Sequence, residues 1–312
     1  MSEVPRFRRA CDNPVLGLDA IRWEAARPTI MFPSVTPAPG WLSAPLDRLY
    51  LYYASHHGLG IGLASAPRPE GPWTVREPVF TLEDAPMLSG HISSPDVLID
   101  ERARRVYLYY HGGSARGQVM GSAVSYDGVH FEAEEPRPLI LPSPRQGHWD
   151  SVSTGYLRAF RVGERILGIY MGNGGRVDAP GVAHNSQGLV RSYDYLRWER
   201  VREEPLLWPD EVEDFGTIRH VGVQVREGAV DVYYSTRTSA ALEREVIRLA
   251  RVDTTAPPRE WRAQRLGTVL RPELAWEGDD LRDPYPFEWE GRLYLFYVGG
   301  PEAGIGLAVA DD

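Results

Sequence analysis

Cysteine is almost absent from this 312-residue chain, in which Cys11 is the one example. A single thiol cannot form an intrachain disulfide, and no Cys/His spacing typical of a zinc site accompanies it. Long apolar runs are absent as well, because no stretch approaches 18 consecutive apolar residues and the N-terminal segment has no apolar core. We therefore expect no disulfide framework, no membrane partner and no secretory signal, and we predict a cytoplasmic location.

Basic residues are fewer than acidic residues. The chain has 34 Lys and Arg but 43 Asp and Glu, which gives a formal net charge of −9. A negative surface repels phosphate backbones, so we expect no nucleic-acid partner. The chain is instead rich in hydrophobic residues (43%), with nine Trp, sixteen Tyr and eight Phe, and it contains 31 Gly and 26 Pro. This composition is typical of a folded protein in which many turns join short strands, and it favours an all-β fold.

An internal repeat organises the sequence. A strand-like apolar segment that ends in tyrosine occurs five times, at intervals of about 60 residues. The copies are Leu49–Tyr53, Val106–Tyr110, Ile166–Tyr170, Val230–Tyr234 and Leu293–Tyr297. Most are followed by an alternating run that begins with glycine, by a turn with Trp or Phe, and by an edge-like segment such as Glu77–Phe80. Because four strands per repeat are typical of a propeller blade, the sequence predicts a five-bladed β-propeller with four-stranded blades.

The two ends of the chain complete one blade in this interpretation. The fifth repeat stops after its third strand, and an unpaired strand edge there would favour aggregation. Near the N-terminus, the segment Asn13–Leu16 has the same Pro-apolar-apolar form as Glu77–Phe80. We therefore predict that the N-terminal segment closes the last blade and that residues 1–312 form a single domain. A row of smaller tandem β domains is the alternative.

Polar residues of the inner strands point to a site on the propeller axis, because the first strand of each blade lines the central channel. Counting back 14 positions from the closing tyrosines gives Asp96, Tyr156, His220 and Asp283, and six positions further back lie Asp150, Asp214 and Glu277. We expect Asp96, Asp150 and Asp283 to form the carboxylate set of a glycosidase, in which one carboxyl stays protonated while another is ionised. The alternative is that these acids cap the starts of strands.

Other residues near these acids are candidates for binding substrate or metal. We expect Trp149 and Trp276 to stack on sugar rings, with Tyr156, His220, Asp214, Glu277 and Arg282 in the same cavity. Arg282, like Arg219, pairs with acids of neighbouring blades or clamps an anion. Four histidines lie at the ends of inner or second strands, namely His91, His111, His148 and His220. The predicted enzyme therefore requires no cofactor, or holds one divalent metal ion at these imidazoles.

Two segments carry a family resemblance. They are Ser94-Pro95-Asp96 with the strand that follows to Tyr110, and Arg282-Asp283-Pro284 with the strand that follows to Tyr297. They resemble the five-bladed glycoside hydrolases of the family-43 type, which implies a propeller with carbohydrate-directed activity. In that family a Pro-Asp carboxylate tunes the acid and positions substrate, and Asp96 matches it.

The chain departs from the family pattern at two positions. The family's Asp-Pro base lies in the first inner strand, where this chain has Phe32-Pro33-Ser34, and the Asp-Pro here is Asp283-Pro284 in the last blade. The family's Glu acid lies in blade three, where Asp150 is the nearest candidate. The chain therefore looks like a divergent member of this group.

The sequence thus predicts an exo-acting glycoside hydrolase for a small oligosaccharide or glycoside, with Asp150 and Asp283 as the acid/base pair and Asp96 as the tuning carboxylate. Two alternatives remain open. One is a phosphorylase like the propeller mannoside phosphorylases, with Arg219 or Arg282 as the anion clamp. The other is a noncatalytic propeller that binds carbohydrate or serves as a scaffold. The sugar, the linkage, the stereochemical outcome and the oligomeric state stay open.

Overall fold

A computed structural model describes residues 4–10, 12–23, 28–115, 117–134, 137–174, 185–210, 217–237, 245–300 and 302–311. Two positions considered above, Cys11 and Asp214, lie outside the described residues. Within these ranges the regular structure consists of strands and short 3-10 helices. None of the described helices has the length and apolar character needed to span a membrane.

The strands are numbered along the chain. They are β1 (Phe7–Arg9), β2 (Leu16–Gly17), β3 (Met31–Pro37), β4 (Leu49–Ala54), β5 (Gly60–Ala66), β6 (Thr74–Val75), β7 (Phe80–Thr81), β8 (Ile92–Asp100), β9 (Arg105–Ser114), β10 (Gly117–Ser125), β11 (Phe131–Ala133), β12 (Ser153–Val162), β13 (Arg165–Asn173), β14 (Asn185–Ser192), β15 (Trp198–Arg200), β16 (Ile218–Arg226), β17 (Ala229–Arg237), β18 (Glu245–Asp253), β19 (Ala263–Leu270), β20 (Leu281–Trp289), β21 (Arg292–Gly299) and β22 (Gly304–Ala310). Short 3-10 helices lie at Leu18–Ala20, Pro258–Glu260 and Ala275–Glu277.

The described strands form five antiparallel sheets, which are the blades of a propeller. Blade one contains β3 to β7, blade two β8 to β11, blade three β12 to β15 and blade four β16 to β19. Blade five contains β20 to β22 together with β1 and β2. The inner strands of neighbouring blades contact one another around the axis, and β20 of blade five contacts β3 of blade one. The predicted all-β, five-bladed propeller is therefore confirmed.

The N-terminal segment closes blade five, as predicted. Leu16 in β2 lies opposite Ile305 in β22, and Phe7 in β1 lies opposite Ala310 in the same strand. The sequence analysis identified the segment around β2 but not β1, which is the outer strand proper. Blade one repeats this arrangement, because β6 and β7 both pair with β5. The Pro-apolar-apolar segment is thus a second short strand beside the outer one.

In blades one, three and five, the closing tyrosine is buried against a tryptophan that precedes the blade. Ring centroids lie 5.9 Å apart for Trp23 and Tyr53, 5.5 Å for Trp149 and Tyr170, and 5.9 Å for Trp276 and Tyr297. The glycine that begins the third strand's alternating run makes room for the indole, since a Cβ on Gly188 would come within 2.4 Å of Trp149. Trp149 and Trp276 therefore pack inside their blades, where burial stabilises the fold. The contacts give no support to the expected sugar-stacking role of these two indoles.

Each inner strand departs from regular pairing at one point. The unpaired residues are Phe32-Pro33, Ser94-Pro95, Tyr156-Leu157, Arg219-His220 and Asp283-Pro284, in blades one to five. Positive φ angles occur at Phe32 (61°), Ser94 (55°), Tyr156 (56°) and Asp283 (49°). Positive φ is unfavourable for residues that carry a side chain, and such backbone strain concentrates at functional sites. Four of the five inner strands therefore share one strained level on the axis.

The strand register corrects one equivalence drawn from the sequence. Asp283 occupies the same position in its strand as Ser94, whereas Asp96 corresponds to Arg158 and Tyr285. The turn between β8 and β9 has four residues (101–104), whereas the turn between β20 and β21 has two (290–291). Counting back 14 positions from the closing tyrosine therefore stops two residues too early in blade two. Because two residues along a strand span about 7 Å, Asp96 lies one layer deeper in the channel than Asp283.

Candidate active site

Aromatic and imidazole rings from four blades meet at the end of the channel where the inner strands begin. Tyr156 lies at the centre, with its ring centroid 4.5 Å from His220, 4.4 Å from His111 and 5.8 Å from Phe32. Phe32 in turn contacts His56 at 6.2 Å. Together with Asp283, these five residues are called the mouth cluster below. Two predicted substrate-binding residues, Tyr156 and His220, are thus brought together on the axis.

Asp283 is the buried carboxylate of the mouth cluster. Its side chain has no exposed surface and pairs with Nδ1 of His220, and the backbone N–H of Phe32 donates to Oδ2 over 3.1 Å. Burial alone would raise the pKa of Asp283, but His220 and the Phe32 N–H outweigh burial, so its pKa lies below the ordinary value. Asp283 is therefore ionised at neutral pH and holds the His220 ring in one orientation.

A network of arginines and acids adjoins the mouth cluster. Glu245, which is fully buried, pairs with Arg219 at 2.9 Å and with Nε of Arg282 at 2.8 Å. Arg282 also donates to Asp280 over 3.0 Å and to Glu302 over 2.9 Å. The sequence analysis expected Arg282 here but missed both Glu245 and Glu302. The third strand of blade four has Arg248 opposite its closing tyrosine, where the other four blades have glycine, and this departure from the repeat was the available signal.

The predicted tuning carboxylate, Asp96, lies in a layer below the mouth cluster. Asp96 is 2% exposed, accepts a hydrogen bond from Nη1 of Arg158 over 3.1 Å, and accepts another from the Ala159 N–H over 2.7 Å. Arg158 also donates to the carbonyl oxygen of Val221 over 3.0 Å, and its guanidinium lies 5.3 Å from the Tyr285 ring centroid. Side chains from blades two, three and five thus lie across the channel, and we call Asp96, Arg158 and Tyr285 the axial plug.

Asp150 and Glu277 occupy equivalent positions in blades three and five, away from this cluster. Tyr170 donates to Asp150 over 2.7 Å, and Nη2 of Arg200, on the outer strand, lies 2.5 Å away. In blade five, Tyr297 donates to Glu277 over 2.6 Å, and Nε of Arg9 on β1 donates to it over 3.1 Å. Blades three and five therefore each have an acid that ties the second strand to the outer strand, and we call this acid a clamp. The contacts do not bring Asp150 together with Asp96 or Asp283.

We expect Asp150→Asn to destabilise the protein by about 2–3 kcal/mol, because the buried end of an ion pair loses its charge and Arg200 loses its partner. Asp150 also hydrogen bonds His148, and these bonds hold its pKa below the ordinary value against the effect of burial. Its contribution to stability is therefore present at neutral pH and lost in acid. Urea unfolding at pH 7 measures the change.

The matched control is Glu199→Gln, which removes an acid from the exposed ion pair with Arg191. Exposed pairs contribute only about 0–1 kcal/mol. If Asp150→Asn unfolds at the same urea concentration as the control, Asp150 is not a clamp residue.

The four predicted metal ligands do not converge on one point. His91 and His111 lie 5.7 Å apart by ring centroid, whereas His148 belongs to blade three and pairs with Asp150 at 2.5 Å. Burial lowers the pKa of His111 well below the ordinary value, so the ring is neutral. Within the ranges that the structure describes, no three His, Cys, Asp or Glu side chains are grouped to hold a metal ion. These histidines therefore do not fit a shared metal site.

No protein-family model matches the chain. Among curated proteins, the uncharacterized protein R118 of Acanthamoeba polyphaga mimivirus is 24% identical in an alignment of 324 residues, gaps included, that spans 88% of this chain and 82% of R118. The name of this relative gives no activity.

Solved structures share the architecture at low sequence identity. The GH43_1 enzyme from Xanthomonas citri complexed with xylotriose has a TM-score of 0.63 at 18% identity, over 90% of this chain and 86% of that one. A second structure is described by the statement that the GH130 family of mannoside phosphorylases contains glycoside hydrolases that target β-1,2-mannosidic linkages in Candida mannan. Its TM-score is 0.71 at 14% identity, over 99% of this chain and 97% of that one. The chain is a five-bladed β-propeller structurally similar to these carbohydrate-active enzymes.

Proposed function

We propose that this protein is a glycoside hydrolase that cleaves a small oligosaccharide or glycoside at the mouth cluster. The observation that carries the proposal is the ionised, fully buried Asp283 paired with His220 at a strained point of the propeller axis. Strained backbone and buried charged pairs are costly and are concentrated at functional sites. The similar structures act on or bind carbohydrate, which supports a sugar as the ligand.

The chemistry assigned to this pair is activation of water. Asp283 has no exposed surface, whereas the His220 side chain keeps 8% of its surface exposed. Because Nδ1 of His220 faces Asp283, Nε2 is the nitrogen that can accept a proton from water as its oxygen attacks the anomeric carbon. In this proposal His220 is the base, and Asp283 is the positioning residue that orients the ring and stabilises the imidazolium formed when His220 takes the proton. The contacts of Asp150 give no support to pairing it with Asp283.

The axial plug supports a small substrate that enters from one end. Arg158 and Asp96 lie across the channel directly below the mouth cluster and are bonded to neighbouring blades. A long polysaccharide cannot thread through a blocked channel, so a chain end or a small glycoside fits this mouth best. This agrees with the exo-acting hydrolase predicted from the sequence.

Phosphorolysis is less well supported than hydrolysis, because the arginines that would clamp phosphate already have carboxylate partners. Arg219 and Arg282 both pair with buried Glu245, and Arg282 also pairs with Asp280 and Glu302. An anion that entered here would meet these negative charges. The noncatalytic alternative leaves the strained Asp283–His220 pair without a role.

The test is release of free sugar from a panel of aryl glycosides and short oligosaccharides, assayed with and without phosphate and after treatment with a chelator. We expect turnover that needs no phosphate and survives chelation. Turnover that requires phosphate, with a sugar phosphate as product, would replace this proposal by the phosphorylase. Binding of sugars without turnover of any panel member would replace it by a carbohydrate-binding propeller.

A further inference from the structure

Cleavage of a glycosidic bond requires a proton donor as well as a base, and the carboxyl groups at the mouth are poorly suited to that role. Burial raises the pKa of Glu302, but His56 and Arg282 outweigh burial, so Glu302, like Asp283, has a pKa below the ordinary value. Burial raises the pKa of Asp96, but this residue is 2% exposed and lies in the axial plug. The donor must therefore be sought among other groups of the mouth cluster.

His56 has the geometry of an oriented imidazole. Its Nδ1 lies 2.8 Å from Oε1 of Glu302, which is anchored in turn by Nη1 of Arg282 at 2.9 Å. The ring stacks on His57 with centroids 4.5 Å apart and meets the edge of Phe32 at an interplanar angle of 90°. The carboxylate, the stack and the edge contact hold the ring, and Nε2 is left for a ligand.

The His56 backbone is held as well, because its N–H donates to Oγ1 of Thr29 over 2.8 Å. The His56 side chain is 35% exposed, whereas Asp283 has no exposed surface. A substrate at the mouth can therefore reach His56 directly. His220 packs on the same Phe32 ring, with centroids 5.3 Å apart. Two imidazoles, each oriented through Nδ1 by its own carboxylate, thus flank one phenylalanine.

Building on the hydrolase function proposed above, we infer that His56 is the proton donor of this site and that Glu302 is its positioning residue. In the reaction, the Nε2 proton of His56 moves to the glycosidic oxygen while the bond from that oxygen to the anomeric carbon breaks. The bonding electron pair stays on the leaving oxygen. The oxygen of water bonds to the anomeric carbon, and a proton of that water moves to Nε2 of His220. Solvent then takes the added proton from His220 and returns a proton to His56.

The charges around His56 favour its protonated form. The hydrogen bond to Glu302 raises the pKa of His56 more than burial lowers it, Asp283 raises it further, and Arg282 opposes them. The imidazoles of His57, His91 and His111 also lie near His56. A raised pKa means that His56 keeps its proton to higher pH, so activity falls as pH rises through the pKa of His56. Removing the Glu302 charge must shift this fall to lower pH.

The test compares two substrates that differ in the leaving group. A dinitrophenyl glycoside needs little protonation of its leaving oxygen, whereas an alkyl glycoside or an oligosaccharide needs full protonation. We expect His56→Asn to lower kcat/KM by about 10²-fold or more for the poor leaving group and by less than about tenfold for dinitrophenol. Glu302→Gln should move the alkaline limb of the pH profile to lower pH. His130→Asn, which breaks an exposed His-Asp pair, is the matched control.

A measurement that needs no substrate keeps the inference testable if a variant misfolds or loses all activity. The pKa of His56, followed by NMR in the wild-type chain, should lie above the ordinary value for His and should fall in Glu302→Gln. A folded His56→Asn variant that cleaves alkyl glycosides as fast as wild type overturns the inference while the hydrolase function stands. A His56 pKa at or below the ordinary value overturns it as well. A wild-type chain that cleaves no glycoside overturns the proposed function itself.

Discussion

Asp283→Asn is expected to lower kcat/KM for glycoside cleavage by about 10²-fold or more while the protein stays folded. Asparagine keeps the size of the side chain and an oxygen that can accept from the Phe32 N–H, which donates to Asp283 over 3.1 Å. It loses the negative charge that orients His220 and stabilises its protonated form, so proton removal from water fails. Steady-state kinetics on the best substrate of the panel measure the loss.

The matched control is Glu288→Gln, which removes an exposed carboxylate from the same inner strand. We expect no change in its kinetics. Full turnover by a folded Asp283→Asn variant, with a melting temperature like that of the control, contradicts the assignment of Asp283.

The other two predicted catalytic acids give a contrasting expectation. Asp96→Asn weakens the axial plug at Arg158, and Asp150→Asn weakens a clamp, so both should lower the melting temperature together with any loss of activity. Asp283→Asn also removes a buried charge, so it too should lower the melting temperature, but its loss of activity should persist at temperatures where the variant is fully folded. If Asp150→Asn keeps its stability and loses turnover, the pair of Asp150 and Asp283 predicted from the sequence regains support.

Deletion of residues 1–18 is expected to lower the melting temperature by roughly 10 °C or more, or to make the protein insoluble. The deletion removes β1 and β2, which cover β22, and it removes Arg9 from its pair with buried Glu277. An uncovered strand edge also invites aggregation. Thermal unfolding followed by circular dichroism measures the loss.

The control for this deletion is a chain that lacks only residues 1–3, which precede β1 and should melt like the full chain. A shortened chain without residues 1–18 that melts at the temperature of this control would show that blade five does not depend on the N-terminal strands.

The sequence predicted the architecture because the repeat is local. The strand that ends in tyrosine, the glycine run and the Pro-apolar-apolar segment each recur at intervals of about 60 residues. The pattern found in one blade therefore predicts the strands of the next. The same reasoning found Asn13–Leu16, since that segment repeats Glu77–Phe80. It missed β1, whose sequence Phe7–Arg9 carries two charged residues and no turn signal.

The site was harder to predict, because its residues depart from the repeat and meet across blades. Asp96 was assigned to the wrong layer because the turn in blade two is two residues longer than that in blade five. Glu302 lies beside His56 although 246 positions separate them in the chain. Asp150 and Glu277 follow the repeat faithfully, and the structure gives them a repeated structural task. In this chain, the acids that follow the blade repeat form the clamps, whereas the residues that depart from the repeat form the mouth cluster.

The most direct test of the account is a crystal structure of Asp283→Asn soaked with an oligosaccharide that the wild-type protein cleaves. The account predicts that the sugar end lies in the mouth cluster, with the bond to be broken between His220 and His56. The contradicting result is a sugar bound only elsewhere, for example in the groove of about 670 Å³ beside Tyr193 and Arg191 in blade three, with the mouth cluster unchanged.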